Sequence, residues 1–220
     1  MTERVGSKWG LVITGGLAPK KEWFDHLRGR FDVVVAADSG LVTALDVGIE
    51  VDRVVGDMDS LPNHELLDAF PEGAVHVYSP EKDLTDTEIA LEALHDVGCT
   101  ATAVYGGGGG RLDHLIALLA LFDRERPPWL WVGDNSVAVC IESTITLRGL
   151  CNDIVSFFPM GSEVCTMRSR GLKWKLDGLE WRKGDVGVSN VVTEDKVKIE
   201  MLSGRLLYVG PLDTLQGLAW

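Results

Sequence analysis

The sequence predicts an α/β domain built on a parallel sheet, followed by an antiparallel β-sandwich. Three observations carry this. From residue 11 to about residue 132, short apolar runs alternate with helical patterns, as in successive βα units. Beyond Asp134 the helical patterns stop, and apolar runs recur at short intervals between Gly, Asn and Asp turns. The change falls around residues 135–142 without a long linker, so the domains are placed at 1–136 and 137–220.

Strands are predicted at Leu11–Thr14, Val33–Ala37, Arg53–Val55, Val75–Tyr78, Thr102–Tyr105 and Trp129–Val132. Each is short and apolar on both faces, as in a sheet covered by helices. The clearest helix is Thr87–Val97, where Ile89, Ala90, Ala93, Leu94 and Val97 share one face. Thr85 and Glu88 stand at capping-box spacing before it. Asp86 then lies at the positive helix N-terminus, which favours a carboxylate or a phosphate. A second helix runs from about Asp113 to Phe122, and its run LIALLALF reads as a buried helix. That run is far short of the ~20 residues of a membrane span. In the second half VAVCIE, TITLRG, DIVSFF, EVCTM, VGVSNVV, KVKIEML and RLLYVG read as antiparallel strands.

The 220 residues are 45% apolar, enough for a substantial core. The net charge of −12, with no basic run, argues against a nucleic-acid partner. Cys99, Cys140, Cys151 and Cys165 form no CxxC pair and read as reduced core thiols of a cytoplasmic protein. Arg4 and Lys8 precede only the short run LVIT, so no signal peptide is expected.

Four aspartates fall at predicted strand ends. Asp38 closes VVVAAD, Asp57 and Asp59 close RVVGDMDS, and Asp86 lies in KDLTDTEIAL after VHVYS. In an open α/β sheet the ligand crevice lies at those ends. Carboxylates gathered there repel one another by roughly 4 kcal/mol per pair at about 4 Å in a partly buried site. A hard dication removes that penalty, and Mg²⁺ shares such ligands with substrate phosphates. A Mg²⁺-nucleotide site follows. Unconnected surface acids remain an alternative in a chain with 33 Asp and Glu.

In GDMDS an extended backbone would turn Asp57 and Asp59 to one face, and Ser60 is placed to cap a short helix with Pro62 near its start. In ADSG, Gly40 permits the close approach of a ligand or of the next element. GGGGGRLDH joins a strand to a helix. Its amides suit a phosphate and Arg111 adds a forked donor. No Gly-Lys-Ser/Thr follows, so it is not a Walker loop. Asp113 is a helix-cap candidate, and His114 is structural or catalytic. Lys82, four residues before Asp86, is placed to neutralise a phosphate or to lie in solvent. Thr14-Gly15-Gly16 is a further candidate phosphate turn.

Taken in order, ADSG, GDMDS, KDLTD, GGRLDH, GLKW, SN and SGRLL closely resemble the thiamine pyrophosphokinase family, over nearly the whole chain. The resemblance implies transfer of the pyrophosphoryl group of ATP to the hydroxyl of thiamine, giving thiamine diphosphate and AMP. It implies Mg²⁺ held by Asp38, Asp57, Asp59 and Asp86, with Asp57, Asp59 and Asp86 the catalytic acids. Lys82 and Thr85 would flank the polyphosphate, and Arg111, Asp113 and His114 would form a nucleotide loop. Trp174, Ser189 and Asn190 would help form the thiamine pocket, with Trp181 an alternative aromatic wall. It further implies a homodimer with thiamine near the subunit interface. Ser39 stands where the family often has glycine, and the glycine run is longer than the motif needs. The rival readings are another Mg²⁺-dependent phosphoryl or nucleotidyl transferase and a non-catalytic binding protein.

Overall fold

The computed structural model describes residues 7–218. Arg4, on which the signal-peptide reading rests in part, lies outside them, as do the outer ends of both predicted domains. The chain forms two compact units, one of residues 7–115 with 131–134 and one of residues 116–130 with 135–218.

The first unit follows the predicted alternation. Its elements are β1 (Trp9–Thr14), α1 (Lys21–Asp25), β2 (Val33–Ala37), α2 (Gly40–Val47), β3 (Arg53–Gly56), β4 (Val75–Val77), α3 (Asp86–Asp96) and β5 (Ala101–Gly106). Strand β1 pairs in parallel with β2 and β5, β2 with β3, and β3 with β4. Helices α2 and α3 pack on β1 and β2. Leu11, Val12, Ile13, Val35, Ala36, Val54, Ala103 and Val104 are buried, as strands covered on both faces require. Strand β4 departs from that pattern. It is the edge of the sheet, and Val77 and Tyr78 are exposed. The order of strands reverses between β5 and β1, which makes their carboxyl ends the crevice of this sheet. Gly40 serves the neighbouring element, since a side chain there would strike the carbonyl of Ile13 in β1.

Helix α4 (Leu112–Ala120) and a 3₁₀ turn (Leu121–Asp123) follow, with β6 (Leu130–Val132) beside β5. The expectation of a buried helix at LIALLALF is corrected. Leu118, Leu121 and Phe122 are buried, but Leu112, Ile116 and Leu119 form an exposed stripe. Their spacing of four and three residues puts them on one helix face, and no described residue of the chain covers it. No helix among the described residues is long and apolar enough to cross a membrane.

The second unit is antiparallel. It contains β7 (Ser136–Ile141), β8 (Thr144–Arg148), β9 (Ile154–Met160), β10 (Cys165–Arg170), β11 (Glu180–Trp181), β12 (Gly187–Val191), β13 (Lys196–Ser203), β14 (Arg205–Pro211) and the short α5 (Thr214–Gly217). The strand orders are β12-β9-β14-β7 and β11-β10-β13-β8. Alternate residues of β9, β10 and β13 are buried, as expected of sheets with one inner face. Phe157 meets Tyr208 edge to face, and the Tyr208 hydroxyl lies 2.9 Å from that of Thr214. Asp123 accepts from the Gly161 amide and from Lys183, which ties the 3₁₀ turn to this unit. All four cysteines are free, but Cys151 is exposed in the turn before β9, so it is not a core thiol.

Candidate active site

Asp38 follows β2 with φ 47°, a left-handed conformation in which its amide still donates to Val55. Asp57 follows β3, and Asp86 is the first residue of α3. Thr85 caps that helix in a full capping box with Glu88. One oxygen from each of Asp38, Asp57 and Asp86 lies within 4.8 Å of the others. Gly56 makes this convergence possible. Its φ is 141°, and a Cβ there would lie 3.1 Å from both the Asp38 Cβ and Asp86 Oδ1. Gly56 directly precedes Asp57, but no spacing in the sequence marks the torsion it adopts.

Lys82 enters this group. Its Nζ donates to Asp57 Oδ2 at 2.9 Å and lies 3.2 Å from Asp86 Oδ1. The hydrogen bond from Lys82 holds the Asp57 carboxyl below its ordinary range. Burial pushes the Asp86 carboxyl up, against the pull of Lys82. Burial opposes the charge on Lys82, but its bonds to Asp57 and Asp86 prevail and raise it. Asp38 is only 7% exposed, and its Oδ1 has no hydrogen-bond partner. Three carboxylates against one ammonium leave excess negative charge in a partly buried pocket. An all-oxygen donor set with a buried, unpartnered carboxylate oxygen fits a hard dication.

Asp59 stands outside this group. The extended backbone that would align it with Asp57 is broken at Met58, which has φ 63° and buries its side chain in the core. Asp59 instead accepts from Ser60 Oγ, and its amide donates to Asp57. Ser60 therefore does not cap the next helix. Asn63 does, accepting from the Glu65 amide at the start of a 3₁₀ helix, His64–Ala69.

Two glycine loops meet at the β1–β5 crevice. Leu17 and Gly108 exchange both backbone hydrogen bonds, at 2.7 and 2.8 Å. This joins the turn after β1 to the run Gly106–Gly110. It also consumes the Gly108 amide, leaving those of Gly107, Gly109 and Gly110 without a backbone partner in this bridge. Thr14 Oγ1 lies 2.8 Å from Thr87 Oγ1. Arg111, Asp113 and His114 are exposed at the start of α4. Arg111 grips Asp113 with two nitrogens, and Asp113 Oδ1 also accepts from the His114 amide. The Thr85 hydroxyl is engaged with Glu88.

In the β half, Trp174 is 54% exposed, and Lys173 Nζ lies 4.6 Å from its ring centroid. An indole so exposed is not a core side chain. Ser189 is exposed with φ 60°, at an irregularity in the β12–β9 register. Asn190 is buried beside it. Trp181 lies against Gly187, where a Cβ would strike its ring.

Residues 24–127 match the family described as "Thiamin pyrophosphokinase, catalytic domain", and residues 142–206 match "Thiamin pyrophosphokinase, vitamin B1 binding domain". A thiamine pyrophosphokinase of Bacillus subtilis is 37% identical over 214 residues, covering 92% of this chain and 98% of that protein. The chain belongs to the thiamine pyrophosphokinase family. The solved thiamin pyrophosphokinase of Geobacillus thermodenitrificans superposes with a TM-score of 0.72 at 27% identity, covering 92% of this chain and 97% of the other. The B. subtilis crystal structure gives 0.73 at 22% identity, covering 93% and 99%. The α/β-then-β order of thiamine pyrophosphokinases is thus that of this chain. It is an enzyme of the family's reaction, the transfer of a pyrophosphoryl group from ATP to thiamine.

Proposed function

We propose that Asp38, Asp57 and Asp86 hold Mg²⁺ for this transfer, with Asp59 near enough along the chain to act beside them. One observation carries the reading, the convergence of three carboxylate oxygens within 4.8 Å around a buried, unpartnered Asp38 Oδ1. Bound there, Mg²⁺ supplies neutralising charge to a triphosphate. Lys82 moves from its carboxylate partners to a phosphate oxygen. Arg111 exchanges Asp113 for phosphate through the same fork of donors. Thr85 fixes the helix start that carries Asp86, and His114 lines the nucleotide loop. The thiamine hydroxyl attacks the β-phosphorus in line. As the new O–P bond forms, the bond between the β-phosphorus and the oxygen bridging to the α-phosphate breaks, the hydroxyl proton passes to an aspartate carboxylate of the site, and AMP departs. Such a transfer needs positioning and charge stabilisation more than covalent chemistry.

Trp174 and Ser189, with Asn190 supporting them, form the thiamine side, where an aromatic face suits a cationic thiazolium. Residues 1–136 serve ATP and Mg²⁺, and residues 137–220 serve thiamine. The working form is a cytoplasmic homodimer. The exposed stripe Leu112, Ile116 and Leu119 supports a second copy as its cover. The test is chromatographic assay of AMP from ATP, with and without thiamine and Mg²⁺. Thiamine-dependent, Mg²⁺-dependent AMP release is expected. AMP release indifferent to thiamine would point to a different transferase, and none at all to a binding protein.

A further inference from the structure

The segment 171–174 runs beside 190–193 as a short two-stranded ladder. Thr193 donates to Gly171, Leu172 and Val192 form an antiparallel bridge, and Lys173 donates to Val191. Trp174 comes next, opposite Asn190, at a position where a regular antiparallel ladder turns the amide and carbonyl outward. Strand β12 is irregular between Gly187 and Asn190, and Ser189 turns the backbone away with φ 60°. The Asn190 side chain takes both the amide and the carbonyl of Trp174. Asn190 Oδ1 accepts from the Trp174 amide at 3.2 Å, and Asn190 Nδ2 donates to the Trp174 carbonyl at 2.7 Å. The same Oδ1 accepts from the Val191 amide at 2.8 Å. The carboxamide stands in for a peptide group, offering one acceptor and one donor at a fixed spacing. Both Oδ1 lone pairs and one N–H are thereby occupied in a side chain only 5% exposed.

We infer that Asn190 is a positioning residue: it sets the backbone of Trp174, and so the placement of the indole, rather than touching thiamine. This rests on the reading of Trp174 as part of the thiamine pocket. Few side chains can replace it. Asp lacks the donor, Ala lacks both groups, and Gln reaches a carbon too far.

A double-mutant cycle tests this, with KM for thiamine, KM for ATP and a thermal melt measured for the parent, Asn190→Ala, Trp174→Ala and the double variant. Asn190→Ala should raise the thiamine KM about 5- to 10-fold, the scale of one or two lost hydrogen bonds, and leave the ATP KM within about 2-fold of the parent. In the Trp174→Ala background the same change should add nothing to the thiamine KM. Equal effects in both backgrounds would mean that Asn190 contacts thiamine itself and would overturn the inference. So would a joint loss of kcat and both affinities that tracks the melt. Should Trp174→Ala alone leave the thiamine KM unchanged, the pocket reading fails first and the inference with it. Asn190→Asp keeps the acceptor and removes the donor, so it serves in the same cycle if the alanine variant does not fold.

Discussion

Lys82 and Asp57 form a 2.9 Å ion pair inside the acidic group, while the Asp38 carboxylate beside them has an oxygen with no partner. The charges of this site are therefore unequally compensated, and substitutions within it should differ in sign.

Lys82→Met removes the single ammonium from three carboxylates. In EDTA this variant should lose about 1–3 kcal/mol, the range for a buried charge left unmatched, and Mg²⁺ should restore more of its melting temperature than it adds to the parent. Differential scanning calorimetry with and without Mg²⁺ is the check. A variant whose melt ignores Mg²⁺ would remove Lys82 from the metal site.

Asp38→Asn and Asp57→Asn should both lose most turnover at saturating Mg²⁺, yet move metal-free stability in opposite directions. Asparagine tolerates the left-handed backbone at residue 38, and the lost charge relieves repulsion. At residue 57 the same change deprives Lys82 of its better partner. The expected outcome in EDTA is a higher melting temperature for the first and a lower one for the second.

On the proposed reading Arg111 acts on ATP alone. Arg111→Ala should weaken ATP use by roughly 10- to 100-fold, matching about 1.5–3 kcal/mol for charge-assisted bonds. Arg111→Lys should not restore it, because an ammonium cannot reproduce the fork. The Arg111–Asp113 pair is exposed, so neither variant should shift the melt appreciably. Steady-state kinetics in ATP and in thiamine separate this from a structural effect.

Acid should weaken the second unit through Asp123. Burial opposes its charge, but Lys183 and the Gly161 amide hold its carboxyl below the ordinary 3.8. A carboxyl depressed by folding stabilises above its unfolded pKa, and that stability is lost as pH falls through the folded value. Asp123→Asn should therefore cost about 1–2 kcal/mol at pH 7 and converge on the parent well below pH 4. Melts across pH 3–7 give the curve, and a gap that persists at the acid end would contradict it.

Thiol chemistry should single out Cys151. Burial pushes Cys140 up to about 12 and raises Cys99 and Cys165, whereas Cys151 is exposed. A chromogenic disulfide at pH 8 should titrate one thiol in the native protein and four after unfolding.

What was legible in the sequence was local. The capping box at Thr85 and Glu88 and strand Val33–Ala37 follow from short-range pattern, and both occur as predicted. The convergence of Asp38, Asp57 and Asp86 followed from where strands end in a parallel sheet. What escaped depended on a single torsion or on surroundings. Met58 at φ 63° separates Asp59 from Asp57, and no spacing rule carries that angle. The apolar repeat of α4 is that of any buried helix, and composition does not say whether the cover belongs to the same chain. Asn190 reads only as a pocket residue, because the groups it holds lie 16 residues away on an irregular segment.

The bridge between Leu17 and Gly108 has a consequence for how tightly the crevice can hold a nucleotide. Five successive glycines form the most mobile kind of segment, and ordering each costs more than for any other residue. Were the loop loose, ATP would have to freeze it on arrival, and affinity would suffer accordingly. The two hydrogen bonds to Leu17 fix the middle of the loop before any ligand is present. That entropy is lost during folding, so a phosphate bound here, as proposed, would meet amides already set in place.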